Sequence, residues 1–165
     1  MGEATNGAPV ARQSVVPHLT VKGGAEALAF YAEALGAREL IRMPTPDGRL
    51  MHASMMIGDS WVYLCDEFPE YGEGSTSPQA LGGSPVVLHL NVPDVDASFA
   101  KAVAAGATAA MPPADMFWGD RYGQIIDPFG HRWSMSTPSK PGTVPPKFEG
   151  CPGESAEVPA EAATA

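Results

Sequence analysis

The sequence predicts an α+β chain made of two tandem βαβββ modules, and three observations carry that expectation. The first is an internal repeat. Val15-Val16-Pro17-His18-Leu19-Thr20-Val21 returns 71 positions later as Val86-Val87-Leu88-His89-Leu90-Asn91-Val92. The second is that each run leads into a helix-spaced segment, Ala25 to Leu35 and Val95 to Ala105, closed by Gly36 and Gly106. The third is a returning end: Gly58-Asp59-Ser60-Trp61 is answered 72 positions later by Gly130-His131-Arg132-Trp133.

The elements follow in order. Val15–Val21 reads as a strand. Ala27, Leu28, Phe30, Tyr31 and Leu35 then recur at helical spacing, with Gly36 as the C-cap. Glu39–Met43, Leu50–Ile57 and Trp61–Cys65 complete the first module as strands, and Ser75 to Gly83 is a linker by its Pro and Gly content. In the second module Val86–Val92 is a strand, Asp94 is the N-cap of a helix carrying Val95, Phe99 and Val103 on one face, and the remaining strands are Thr108–Met111, Arg121–Ile126 and Trp133–Thr137. Asp127-Pro128-Phe129-Gly130 has proline and glycine where a type I turn places them.

Composition sets the outer limits. A domain at residues 13–137 is expected, its modules at about 13–74 and 84–137. Residues 1–12 are expected to be disordered and the Pro/Ala/Glu-rich tail 138–165 disordered or draped on the surface; the segment from Thr137 onward holds six prolines and three glycines and little apolar surface. Nineteen acids against ten bases give a net charge of −9, which argues against nucleic acid as a partner. The domain alone keeps fourteen acids and seven bases. No apolar run is long enough for a membrane span. Two cysteines, Cys65 and Cys151, cannot make a disulfide framework, and with no secretory leader in view a cytoplasmic protein is the simplest reading.

The repeat, Phe30-Tyr31 late in the first helix and Asp127-Pro128-Phe129-Gly130-His131 before the last strand resemble the vicinal oxygen chelate superfamily. Phe117-Trp118-Gly119-Asp120-Arg121-Tyr122-Gly123 resembles its glyoxalase and bleomycin-resistance branch in particular. The resemblance implies mixed sheets around a cupped cavity, and a homodimer with cavities shared between subunits. Metal-using members carry His, Gln or Glu on the first and last strand of each module. Carried over, those positions fall on Val16, Val62, Val87 and Ser134, a set with no imidazole or carboxylate. No metal and no other cofactor is therefore expected.

Strand alternation assigns the cavity face. It gives Val16, His18 and Thr20 against Val87, His89 and Asn91, then His52, Ser54 and Met56 against Gln124 and Ile126. Ser134 and Ser136 join with Val62 and Leu64, while Trp133 and Met135 turn to the helix. The candidate ligand-binding residues are His18, His52, His89, Asn91, Trp118, Arg121, Tyr122, Gln124, Ser134 and Ser136. Trp118 reads as a cavity cap stacking on a flat ligand, or as a lid or dimer contact. Arg121 reads as a carboxylate binder or as the ion-pair partner of Asp120. His131 reads as a turn residue and Cys65 as a small buried apolar one.

The leading expectation is a metal-free protein that binds an aromatic or planar small molecule, such as a natural product or antibiotic. The acidic surface would favour a cationic ligand. The alternatives are a cofactor-free lyase or isomerase using His18, His52 or His89 as acid or base, an unconventional metal cluster of those three histidines, or a metal-dependent glyoxalase- or dioxygenase-like enzyme.

Overall fold

The computed structural model describes residues 13–72, 76–144 and 146. The N-terminal twelve residues, most of the C-terminal tail and Cys151 lie outside them. The two modules appear as two four-stranded mixed sheets. The first has the order β1(His18–Val21), β4(Ser60–Asp66), β3(Leu50–Ile57), β2(Arg38–Pro44), and the second β5(Val87–Asn91), β8(Arg132–Pro138), β7(Asp120–Ile126), β6(Thr108–Asp115). In each sheet the first strand pairs parallel to the last, and the other pairs are antiparallel. The connecting helices are α1(Gly24–Leu35) and α3(Val95–Ala104), with a short α2(Pro78–Leu81) in the linker.

Local chemistry explains most boundaries. β1 starts only at His18 because Pro17 has no N–H to place in a ladder. The Asp66 carboxylate accepts the backbone N–H groups of Gly23 and Gly24 at 2.8 and 2.9 Å and that of Leu50 at 2.7 Å, so it caps α1 from the end of β4. Gly24 is needed there, since a Cβ would sit 2.6 Å from the Asp66 oxygen. Gly36, at φ 68°, ends α1 as expected, and Asp94 caps α3 by accepting from Ala97 N–H at 3.0 Å. β6 runs on through Pro112 and Pro113 to Asp115, beyond the expected end at Met111. It is an edge strand with a register shift between Met111 and Ala114, where prolines are tolerated. The linker, expected to be irregular, holds a helical turn because Ser77 caps it and Pro78 occupies its first position.

The core forms where the helix-facing sides of both sheets meet α1 and α3. Ala53, Met55, Val62 and Leu64 of the first sheet and Ile125, Trp133 and Met135 of the second are almost wholly buried with Ala27, Tyr31 and Ala102. The modules are joined by a buried polar latch. Tyr31 Oη on α1 donates to Asp127 Oδ2 at 2.7 Å, and Trp133 Nε1 donates to the same oxygen at 2.8 Å. The other carboxylate oxygen accepts the Phe129 and His131 backbone N–H groups, both at 2.9 Å. Phe129 packs on Phe30 and Tyr31, with ring centroids 6.1 Å apart in each pair. With both helix-facing sides used in the core, the opposite faces of the sheets are left open.

Candidate functional site

Strand pairing fixes which side chains share each open face. In the first sheet His18 pairs with Tyr63 and Thr20 with Cys65, Ser54 pairs with Tyr63, and Met56 with Trp61. Ile41 pairs with Ser54 and Met43 with His52. Val62 and Leu64, expected to face the cavity, instead face the helix and are almost fully buried. Trp61, Tyr63 and Cys65 take their place. The reason is a turn length: Met56 and Trp61 close four residues in the first module, whereas Ile126 and Arg132 close five in the second. The matching glycine and tryptophan letters therefore align at 72, but the strands superpose at 71, with Tyr63 and Ser134 opposite His18 and His89. A one-residue slip exchanges the two faces of a strand. Cys65 is accordingly a half-buried face residue, 3.8 Å from the Thr20 hydroxyl, not a core one.

The first sheet gathers an aromatic cluster. The His18 and His52 rings lie 5.8 Å apart edge-to-face, and His52 and Tyr63 lie 5.1 Å apart. Trp61 meets Tyr63 at 6.4 Å. Burial, then the neighbouring His52, holds His18 below the usual imidazole range, which favours the neutral ring. His52, Ser54, Trp61 and Tyr63 line a hollow of about 160 Å³ closed by Gln13, Val16 and Ile41.

The second sheet builds a different set. His89 Nδ1 lies 2.8 Å from Ser134 Oγ and its Nε2 lies 3.3 Å from Ser136 Oγ, so both ring nitrogens face buried hydroxyls. Tyr122 stacks on His89 at 6.1 Å with 12° between planes, and its Oη accepts from Gln124 Nε2 at 2.8 Å. Trp118 stands edge-on to Tyr122 at 5.6 Å and to Phe117 at 4.9 Å, half exposed at the lip. Asn91 pairs with Ser136 and opens with His89 onto a furrow of about 360 Å³ beside Lys101.

Of the candidate residues, His89, Asn91, Tyr122, Gln124, Ser134 and Ser136 share the second sheet's face, with Trp118 at its edge. His18 and His52 meet on the first sheet, so the three histidines do not form one cluster. Among the described residues no group of three His, Cys, Asp or Glu could hold a metal ion. Arg121 leaves the cavity altogether. Its Nε and Nη2 pair with both Asp96 oxygens at 2.6 and 2.8 Å, and Nη1 reaches Asp115 at 3.4 Å. Its ion-pair partners are thus Asp96 and Asp115 and not its neighbour Asp120. His131 is nearly buried, 3.6 Å from Asp127 Oδ2, on a hollow of about 270 Å³ that it shares with His18.

Sequence reasoning missed Trp61 and Tyr63 as face residues. Tyr31 and Asp127 each stand in a sequence motif, and the bond between them joins those two motifs. The positions at which metal-using relatives carry ligands hold Val16, Tyr63, Val87 and Ser134. Two are aliphatic, one is a phenol and one a hydroxyl already engaged by His89. That donor set does not fit a divalent metal of the usual kind.

Residues 13–135 match the family model of the Glyoxalase/Bleomycin resistance protein/Dioxygenase superfamily. An uncharacterized protein of Mycobacterium bovis is 50% identical over 123 residues, which is 74% of this chain and 81% of that one. Among solved structures, TioX from Micromonospora sp. is similar with a TM-score of 0.60 and 28% identity, over 76% of this chain and 98% of its own. A gene product of Arabidopsis thaliana is similar with a TM-score of 0.59 and 25% identity, over 77% and 100%. No helix among the described residues is long and apolar enough to cross a membrane.

Proposed function

The chain belongs to the glyoxalase/bleomycin resistance protein/dioxygenase superfamily, and we propose that within it this protein binds an aromatic or planar small molecule without a metal, sequestering it rather than turning it over. The observation that carries this reading is the composition of the two open faces. Aromatic rings and neutral hydroxyl or amide groups stand there, and the positions metal-using relatives give to ligands hold two valines, a phenol and a hydroxyl. Small-molecule sites are built this way, with apolar walls and a few convergent polar groups.

His89 favours binding over acid–base catalysis. A ring with a hydroxyl at each nitrogen and a phenol stacked on one face is held in a fixed orientation on the open face, with both nitrogens already engaged by protein hydroxyls. Trp118 adds an exposed indole where a flat ligand would slide between it and the sheet. The open faces also support a homodimer. One chain leaves Trp118 at 50% and Met43 at 53% exposure, and a second copy would turn each shallow face into a closed cavity.

The test is titration with phenylnaphthylamine, a neutral fused-ring dye whose emission rises on entering an apolar site. The native protein should bind it saturably, and Trp118→Ala should weaken it about tenfold through lost stacking and area. The melting temperature should barely change, because the indole is half exposed. An unchanged affinity with a melting temperature many degrees lower would make Trp118 a structural residue and remove this support.

A further inference from the structure

The chain is acidic, yet the face of its first sheet is not. None of the side chains that pairing places there is Asp or Glu, and the face carries His18, His52 and, at its outer corner, Arg38. Arg38 Nη2 donates to the Met56 sulfur at 3.4 Å, and among the described residues no carboxylate pairs with it. Among the described residues no acid of this module lines the hollow. Glu39 pairs with Arg42, and Asp47 and Glu70 with Arg49, all away from the hollow. Asp66 is turned inward to cap α1.

Ser54 supplies the second, independent observation. It is 1% exposed, lies in the middle of this face and lines the hollow beside His52, and its Oγ has no hydrogen-bond partner. Burial strips a hydroxyl of its water, and without a protein partner that loss is not made good, so such groups are normally satisfied. Ser54 lines the hollow, so a group seated there would be placed beside it.

We propose that the hollow of the first sheet receives an anionic group, a carboxylate or sulfonate, carried on an aromatic body: Ser54 Oγ and the His52 ring donate to the anion, and Trp61 and Tyr63 hold the rings. This deepens the binding function proposed above and rests on it. It also reverses the expectation from net charge. The overall charge of −9 acts at long range and is screened by salt, whereas the hydrogen bonds and the acid-free face act at contact. The whole-chain field slows an anion's approach and leaves the occupied site favourable.

Two dyes that share one ring frame separate the inference from the reading beneath it. Anilinonaphthalene sulfonate carries the anion, and phenylnaphthylamine is its neutral counterpart. The full-length protein should bind the sulfonate at least tenfold more tightly than the neutral dye. Ser54→Ala should weaken the sulfonate about tenfold, the worth of a hydrogen bond to a charged group, and leave the neutral dye unchanged. The variant removes one buried oxygen without a partner, so its melting temperature should hold or rise. Arg38→Gln, an exposed change, should also weaken only the sulfonate. Saturable binding of the neutral dye with no sulfonate preference, or a preference that survives Ser54→Ala, overturns the anion site and leaves the binding function standing. Failure of both dyes to bind overturns both.

Discussion

Replacing Tyr31 by Phe tests whether one buried hydroxyl holds the two modules together. The change removes only Oη, so the ring stays packed on Phe129 and Trp133 and no cavity opens. What goes is the 2.7 Å bond to Asp127 Oδ2, leaving Trp133 Nε1 and two backbone N–H groups on that carboxylate. Burial, then the Asp127 charge, pushes the Tyr31 phenol well above its usual range, so it is a donor throughout the accessible pH range. A hydrogen bond to a charged, buried acceptor is worth about 1.5–3 kcal/mol. For a domain of this size that is a fall in melting temperature of roughly 5–12 °C. The pH dependence adds a second signature. Burial raises the Asp127 carboxyl, but its hydrogen bonds to His131, Tyr31 and Trp133 outweigh burial and hold it below the usual aspartate range. A depressed carboxylate stabilises the fold above its unfolded pKa of about 4, and that contribution is lost as pH falls through the folded value. Without Tyr31 Oη the folded value rises toward the unfolded one, so acid unfolding of the variant should begin at higher pH. Thermal melts from neutral pH down to the acid transition read both effects. A melting temperature within about a degree of the native protein, with an unshifted acid limb, would refute the latch.

Two further predictions test the proposed function. Protein purified without chelator should contain no stoichiometric zinc, nickel, iron or manganese by elemental analysis, because valine at 16 and 87 cannot coordinate; close to one metal per cavity would revive the metal-dependent enzyme. Light scattering at tens of micromolar should give the mass of two 17.2 kDa chains, and a monomer would leave the open faces without the partner argued for them.

The fold was legible because its signals are local and repeated. Each helix carries its own apolar stripe and its own Gly36 or Asp94 cap, and each survives an error of a residue or two. The open faces were only partly legible, because a face depends on parity, which no number of well-placed strands protects. Both Trp61 and Trp133 follow a turn glycine by three positions, yet Trp133 is 1% exposed in the core and Trp61 lines the hollow. The extra residue in the β7–β8 turn is absorbed by the Asp127 carboxylate, whose oxygen takes the Phe129 and His131 N–H groups that a longer turn leaves over. Among the described residues no carboxylate takes backbone N–H groups of the Gly58 turn in this way. Its counterpart cap, Asp66, lies on the far end of β4 and serves α1 instead. The latch itself had no sequence signal, since Tyr31 and Asp127 are 96 residues apart.

This slip bears directly on chemistry. Counted from the turn glycine, the wall opposite His18 is Val62, and the first sheet offers an aliphatic pocket with two imidazoles and the Ser54 hydroxyl. Counted from the strand pairing, it is Tyr63, flanked by Trp61 and by the Ser54 hydroxyl. An aliphatic wall would select only for size. A phenol, an indole, two imidazoles and a hydroxyl without a partner would select for flat rings bearing a hydrogen-bond acceptor, and in the anion site proposed above Arg38 at the corner would give that acceptor its sign. Of that set only Trp61 and Tyr63 depend on the register of the shorter turn, so the ring-holding part of the proposed ligand class follows from one residue there.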